Sequence, residues 1–296
     1  MREVIKIILG SLGLLKYIKK ISKLEVKKSK EYPIIKRSYE NFLSSQKSSL
    51  LWTTHKGASS LLTKLFFKIE NEISFNYYDF ESKLVKYSRE LDNIYNPYNL
   101  LGEFNDIFFQ RFNNIYGPLR QPYQIDRMDS YNHVFFLRDP RDVIISSYYW
   151  FGFNSNNTKF DDHFGLSDSL IKKRDKIQSL NKDDACIYLA NEWLLDKYLA
   201  YMEIYNKYES TFFIPYKLLK NNPDLFLKNI LKAVGLKDKN GAVKKLAEKV
   251  IQKKPSKKDI KHRRSGKSSQ YLNELHPKTI EKINLIFNPI LNQWDF

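Results

Sequence analysis

Lys56, Ser59 and Ser60 are the first residues in the chain whose types and spacing could do chemistry. They stand in Thr54-His55-Lys56-Gly57-Ala58-Ser59-Ser60-Leu61, behind the apolar run Ser49-Leu50-Leu51-Trp52-Thr53-Thr54. The run reads as a buried strand, and the residues from about Ser59 to Glu72 read as a helix. A tight turn from a strand into a helix aims several backbone N–H groups and the positive helix end at one point. Gly57 and Ala58 leave room for an oxyanion, Ser59 and Ser60 add hydroxyl donors, and Lys56 adds a point charge. The segment Lys56, Gly57, Ala58, Ser59, Ser60 and Leu61 is therefore a candidate anion cradle. It lacks the G-x-x-x-x-G-K-[ST] spacing of nucleotide triphosphatases. An ordinary strand-to-helix loop is the plain alternative.

The second group lies in His133-Val134-Phe135-Phe136-Leu137-Arg138-Asp139-Pro140-Arg141-Asp142-Val143-Ile144-Ile145-Ser146. An Arg at the end of a buried strand is costly unless it meets an anion. Ser146 follows eight residues later, and the turn at Asp139-Pro140 folds the next helix back so that the two can converge. A guanidinium that binds with two N–H groups, together with a hydroxyl, suits a phosphate monoester. An Arg138–Asp142 ion pair at the helix start accounts for the same residues without a ligand.

The third group is Lys261-His262-Arg263-Arg264-Ser265-Gly266-Lys267-Ser268-Ser269-Gln270-Tyr271. Gly266-Lys267-Ser268 imitates the end of a triphosphatase loop, but Lys261 stands where that motif needs its first Gly and no apolar strand precedes it. A basic, Gly-containing loop that closes over a phosphate fits better, and a solvated charge run is its alternative.

These residues need elements to position them. Short apolar runs alternate with long amphipathic stretches, as in an α/β fold. Ile73–Tyr78, Asn132–Leu137 and Thr211–Tyr216 read as further strands. Asp139 can cap a helix that Pro140 opens, with Asp142 at its positive end. Asp183 to Tyr208 reads as a long helical stretch, Pro223 opens a helix that Gly235 closes, and a final helix runs from about Pro277 toward Asn292. Tyr148-Tyr149-Trp150-Phe151 reads as the lining of a small apolar site or as core. No repeat and no internal domain boundary stand out.

Composition sets the limits. A chain of 296 residues, 42% hydrophobic and 28% charged, reads as an ordinary soluble globular protein. The single Cys186 rules out an intrachain disulfide and reads as a buried apolar side chain. A net charge of +17 favours anionic partners such as phosphates, nucleic acid, acidic lipid or an acidic glycan. Residues 236–269 alone carry 13 Lys or Arg against three acids. The apolar run Ile7–Leu15 is too short to cross a bilayer and is followed by Lys16, Lys19 and Lys20. It reads as a basic amphipathic helix, packed on the domain or touching a membrane surface.

In this order and at these separations, the three groups resemble the PAPS-dependent sulfotransferase family (PAPS is 3'-phosphoadenosine-5'-phosphosulfate). That family's 5'-phosphosulfate loop reads P-K-[ST]-G-[ST]-[ST]-W, which His55 to Leu61 matches at Lys56, Ser59 and Ser60 and departs from elsewhere. Arg138 through Ser146 closely matches its 3'-phosphate motif. Ile214-Pro215-Tyr216-Lys217-Leu218-Leu219-Lys220-Asn221-Asn222-Pro223 is similar to its Y-E-D-L-x-x-x-P segment, whose Tyr lies against the adenine; that role maps to Tyr216. Arg264-Ser265-Gly266 resembles its R-K-G loop, and Tyr271 stands where a Trp is common.

The resemblance covers about residues 48–292 and implies a P-loop-like three-layer α/β sandwich with a central parallel sheet. It implies one catalytic domain, with residues 1–47 as a basic lead-in. The implied reaction moves a sulfuryl group from PAPS to a hydroxyl or amine of a small molecule or glycan, with no metal required, no nucleic-acid partner and a cytoplasmic location. Lys56 is the expected stabiliser of the leaving oxygen. Where many relatives carry a catalytic His, this chain places Arg120, which cannot act as a base. Relatives acting on glycans use a carboxylate just after the second strand. Glu81 and Asp79 fit that place, with Glu103, Asp106, His55 and His133 as further options. Two alternatives remain from other classes. One is a polyanion- or nucleic-acid-binding protein on a decayed P-loop fold, and the other is a nucleotide kinase, which the missing triphosphatase spacing disfavours.

Overall fold

The computed structural model describes residues 46–70, 75–79, 81, 109–153, 166–236, 241–251 and 268–296. The expected N-terminal helix lies outside them, as do Glu103, Asp106, Arg264, Ser265 and Gly266. The described elements run β1 (Ser49–Trp52), α1 (Ser59–Ile69), β2 (Asn76–Tyr78), β3 (Asn114–Leu119), β4 (Asn132–Leu137), α2 (Pro140–Phe153) and α3 (Leu166–Gln178). There follow α4 (Lys182–Leu189), a π turn at Ala190–Leu194, α5 (Leu195–Lys207), β5 (Thr211–Pro215), α6 (Tyr216–Asn221), α7 (Pro223–Ala233) and α8 (Ala242–Ile251). The chain closes with α9 (Tyr271–Glu274), α10 (Pro277–Ile286) and α11 (Asn288–Trp294).

The five strands form one parallel sheet in the order β2-β3-β1-β4-β5. Side chains alternate across it with a period of two residues. Leu50, Trp52, Tyr116, Leu119, Phe135 and Leu137 face one core with buried residues of α2, α4, α5, α10 and α11. Leu51, Ile115, Val134, Phe136 and Ile214 face the other, with α1, α6, α7 and α8. Both faces are covered, so β1, β4 and β5 read as near-continuous apolar runs rather than alternating ones. This is the expected three-layer α/β sandwich.

β1, β4 and β5 stand where the apolar runs place them, and β2 takes up Asn76–Tyr78 within its expected run, whose first two residues lie outside the described ones. Strand β3 is the one that apolar patterning misses. It contains Gly117 and Pro118, residues that argue against a strand interior, yet it lies between β2 and β1. At Gly117, φ is +136° and an added Cβ would fall 2.7 Å from the Leu51 carbonyl oxygen, so close strand contact demands glycine there. The long helical stretch divides at the π turn, and the last helix breaks at Phe287, ahead of Pro289. Asp139 caps α2 as expected: its carboxylate accepts the Arg141 N–H at 2.9 Å.

Candidate active site

In a parallel sheet with this strand order, ligand sites form at the carboxyl ends of the strands where the connections diverge. The chain leaves β1 toward one side while β3 and β4 flank it. The loop after β1 therefore sits between the residues that follow β3 and those that follow β4, Arg120 and Arg138. The Thr53 N–H donates to the Leu119 carbonyl at 2.9 Å, which ties two of these strand ends together. β2 delivers Asp79 and Glu81 to the same edge, and β5 delivers Tyr216.

The loop after β1 is held in an uncommon backbone. Lys56 and Ala58 both take φ of 66°, the left-handed region. Ala58 occupies the cap position of α1 and has no side chain with which to cap it. Among the described residues, the N–H groups of Lys56, Ala58, Ser59 and Ser60 make no hydrogen bond. They and the helix dipole remain available to an anion. Gly57 serves the loop in a way the sequence does not suggest. An added Cβ would meet Thr53 Oγ1 at 2.7 Å and the Thr54 carbonyl oxygen at 3.0 Å, so the missing side chain admits the loop's own threonines rather than an oxyanion.

A non-glycine residue in the left-handed region costs about 1–2 kcal/mol. Replacing Ala58 by Gly removes that cost and returns about 0.4–1 kcal/mol through a more flexible unfolded chain. Ala58→Gly should therefore raise unfolding stability by about 0.5–1 kcal/mol in urea denaturation. A loss of stability would show that the loop carries no strain at this residue.

Arg138 follows β4 and is buried, 4% exposed. Its Nη1 donates to the Lys56 carbonyl at 3.4 Å, and Nη2 lies 3.7 Å from Asp142. Its guanidinium stacks 5.0 Å above the ring of Tyr216. The structure thus brings Lys56, Arg138 and Tyr216 into one cluster. Burial, reinforced by Arg138, lowers the Lys56 ammonium from its ordinary value to about 8. Two tyrosines of α5 fasten the strand ends from behind: Tyr198 donates its hydroxyl to the Arg138 carbonyl, and Tyr201 donates to the Thr53 carbonyl at 2.7 Å. Nothing in the sequence singles them out except that both lie in an apolar-rich helix.

Ser146 lies half-buried on α2. Asp142, on the same helix, has two tasks. It faces Arg138, and it accepts the N–H groups of Ser269 and Gln270 at 2.8 and 2.7 Å. The segment that follows Arg264, Ser265 and Gly266 in sequence is thereby pinned beside the Arg138 clamp. Arg141 completes the joint. It grips Asp139 at 2.7 Å, donates to Asn284 at 3.0 Å, and stacks 4.4 Å over Tyr271.

At the β2–β3 side, Glu81 accepts three hydrogen bonds: from the Arg120 N–H at 2.5 Å, from Arg120 Nη1 at 2.6 Å and from the Tyr123 hydroxyl at 2.8 Å. Asp79, also buried, accepts the Thr63 hydroxyl at 3.0 Å. His133 is removed from consideration as a base. It sits near the amino end of β4, where Nδ1 accepts the Trp52 indole N–H at 3.2 Å and Nε2 donates to the Met128 carbonyl at 2.8 Å. Burial lowers its pKa to about 4. His55 stays at the site, stacked on Trp150 with ring centroids 6.5 Å apart. Among the described residues no group of three or more His, Cys, Asp or Glu side chains is placed to hold a metal ion.

A family model of the sulfotransferase domain matches residues 46–295. The chain belongs to the sulfotransferase family. Comparison with curated protein sequences finds no match. Among solved structures, a mouse sulfotransferase complexed with PAP, the desulfated 3',5'-bisphosphate, superposes with a TM-score of 0.51 at 13% identity, covering 85% of this chain and 86% of that one. A retinol dehydratase in complex with androsterone and PAP gives a TM-score of 0.40 at 14% identity, covering 84% and 82%.

In this sulfotransferase the aromatic run on α2 divides its labour. Tyr148 and Phe151 are core, Tyr149 donates to Glu274 at 2.8 Å, and Trp150 turns to the site, where Lys56 Nζ lies 5.6 Å from its ring. Cys186 is buried, and that burial pushes its thiol up to about 12. The sulfotransferase therefore keeps it as an inert apolar side chain. No helix among the described residues is long and apolar enough to cross a membrane.

Proposed function

We propose that this sulfotransferase moves a sulfuryl group from PAPS to a hydroxyl or amine of a small molecule or glycan. Residues 48–292 act as one catalytic core with 1–47 as its lead-in. The observation that carries the reading is the cluster of Lys56, Arg138 and Tyr216 at the carboxyl edge of the sheet. Two cations and a flat ring gather at a loop in which the N–H groups of Lys56, Ala58, Ser59 and Ser60 have no partner among the described residues. That donor set fits two phosphates and an adenine, and the mouse sulfotransferase of the same fold was crystallised with PAP.

PAPS supplies the sulfuryl group to be transferred. Lys56, Ser59, Ser60 and the unbonded N–H groups of the loop from Lys56 to Ser60 would hold its 5'-phosphate, with Gly57, Ala58 and Leu61 shaping the turn. Arg138 and Ser146, with Arg264, Ser265 and Gly266 by family resemblance, would hold the 3'-phosphate, and Tyr216 the adenine. Positioning and charge stabilisation dominate such transfers. Lys56 sets an ammonium where the leaving oxygen gains charge. Glu81 is the carboxylate proposed to face the acceptor. It and Arg120 interact electrostatically with Tyr201 and, in the case of Glu81, with Lys197, on the side of the sheet where His55 and Trp150 lie. Asp79 is tied instead to Thr63 on α1.

PAP should raise the melting temperature without any metal, because both phosphates meet cations already in place. Lys56 titrates near 8 in the free protein, and only its protonated form attracts phosphate. PAP affinity should therefore decline as the pH rises through 8 and then level off, the total loss being no larger than that caused by Lys56→Ala, because the backbone N–H groups and Arg138 still meet the phosphates. Thermal shift and calorimetry across pH 6–10 test both points. Equal stabilisation by ATP–magnesium or short DNA, or none by PAP, would defeat the reading.

A further inference from the structure

A second group of cations stands beside the cradle and has no task in holding the donor. Lys173 on α3 places Nζ 5.1 Å from the ring of Phe151, and Lys197 on α5 places Nζ 5.0 Å from the ring of Trp193. The two rings meet edge to face at 5.1 Å. Phe151 in turn touches Trp150 at 4.7 Å, the ring that carries Lys56 at 5.6 Å and His55 at 6.5 Å. One aromatic strip thus runs from the sulfuryl-bearing end of the cradle to two half-buried lysines.

These cations press on one another. Burial and then Lys173 lower Lys197 to about 8, with Glu81 opposing. Burial lowers Lys173 as well. His55 is held well below its ordinary value by burial and by Lys197, Arg120, Lys56 and Lys173. Among the described residues Glu81 is the carboxylate that acts on Lys197, and Arg120 already takes both of its oxygens. Neither Lys173 nor Lys197 forms an ion pair among the described residues. Partly desolvated like charges without a counter-ion are costly, and a ligand anion removes that cost. The donor's phosphates account for Lys56 and Arg138, but not for a lysine pair that reaches the site from α3 and α5.

We propose that the acceptor is itself an anion, a hydroxyl or amine compound bearing a carboxylate, sulfate or phosphate, with Lys173 and Lys197 binding that group while Trp150, Phe151 and Trp193 support the carbon skeleton. This rests on the sulfotransferase reading above. It also gives part of the +17 charge a role at the acceptor rather than the donor.

The test uses the full chain loaded with PAP and pairs of compounds that differ only in charge. One pair is 4-hydroxyphenylacetate and 4-hydroxyphenylacetamide. The other is the methyl glycoside of glucuronic acid and that of glucose, which separates a small aryl acid from a sugar acid. In at least one pair the charged member should bind about tenfold more tightly by calorimetry, the scale of a charge-assisted contact. Lys173→Gln with Lys197→Gln should bring that ratio close to one while the PAP affinity of the variant stays within about twofold, so a misfolded variant is recognised by its loss of PAP binding. No preference for charge in either pair, or a preference that survives the double variant, overturns the proposal. Failure of PAP to bind the unmodified chain would instead overturn the donor reading.

Discussion

Lys56→Ala should lower turnover by about 10²–10³-fold at saturating PAPS, the range seen when one preorganised donor is lost. PAP affinity should fall much less. The backbone N–H groups of Ala58, Ser59 and Ser60 and the end of α1 remain to meet the 5'-phosphate in the ground state. Charge on the leaving oxygen grows only as the sulfur–oxygen bond breaks, so the ammonium stabilises the transition state more than the bound donor. The variant should fold. Lys56 is held in the left-handed region by its surroundings, alanine meets the same steric demand there, and removing the ammonium relieves its repulsion with Arg138. Steady-state kinetics beside calorimetry decide the matter. If PAP binding disappears while turnover at saturating PAPS survives, Lys56 is a binding residue. If neither changes, the turn is not the cradle.

Arg138→Lys should weaken PAP binding by about 1–3 kcal/mol, roughly 5- to 150-fold in Kd. Lysine keeps the positive charge beside Asp142, which matters because Asp142 is buried and also holds the Ser269 and Gln270 N–H groups. Truncation to alanine would strand that carboxylate and confuse stability with binding. What lysine loses is the planar fork and its stack on Tyr216. Calorimetry with PAP on a variant of unchanged melting temperature checks this. Unchanged affinity would mean that Arg138 serves only to anchor Asp142 and the start of α2.

The residues proposed to hold the donor form local patterns, which is why they are legible without a structure. A Lys, small residues and two Ser between a strand and a helix, or Arg and Ser eight apart across a capped turn, constrain their own backbone through propensity and capping. The alternation of apolar runs with amphipathic stretches is equally local, and it identifies an α/β fold and four of the five strands. Asp139, Pro140 and Pro223 mark helix starts by their own stereochemistry, and α2 and α7 begin there.

Long-range contact decided the rest. β3 became a strand despite Gly117 and Pro118 because β1 and β2 bond to it on either side and Leu51 leaves no room for a Cβ. Propensity gives way where pairing and burial are worth more. Which carboxylate stands by which base or hydroxyl was equally unreadable: Glu81 meets Arg120 and Tyr123, residues 39 and 42 positions away. His133, near in sequence to the Arg138 motif, points instead into a stack with Trp52 and Tyr208. The pairing of Lys173 with Lys197 along an aromatic strip joins three helices and has no sequence signature. From sequence alone, then, came the groups proposed to bind the donor, since each is built from neighbours in the chain. On the proposed acceptor side, Glu81 and the Tyr148–Phe151 run were legible as candidates, but the lysine pair and its joining to them came only from the tertiary structure, since these residues are distant in sequence and become one surface only when the helices pack on the sheet.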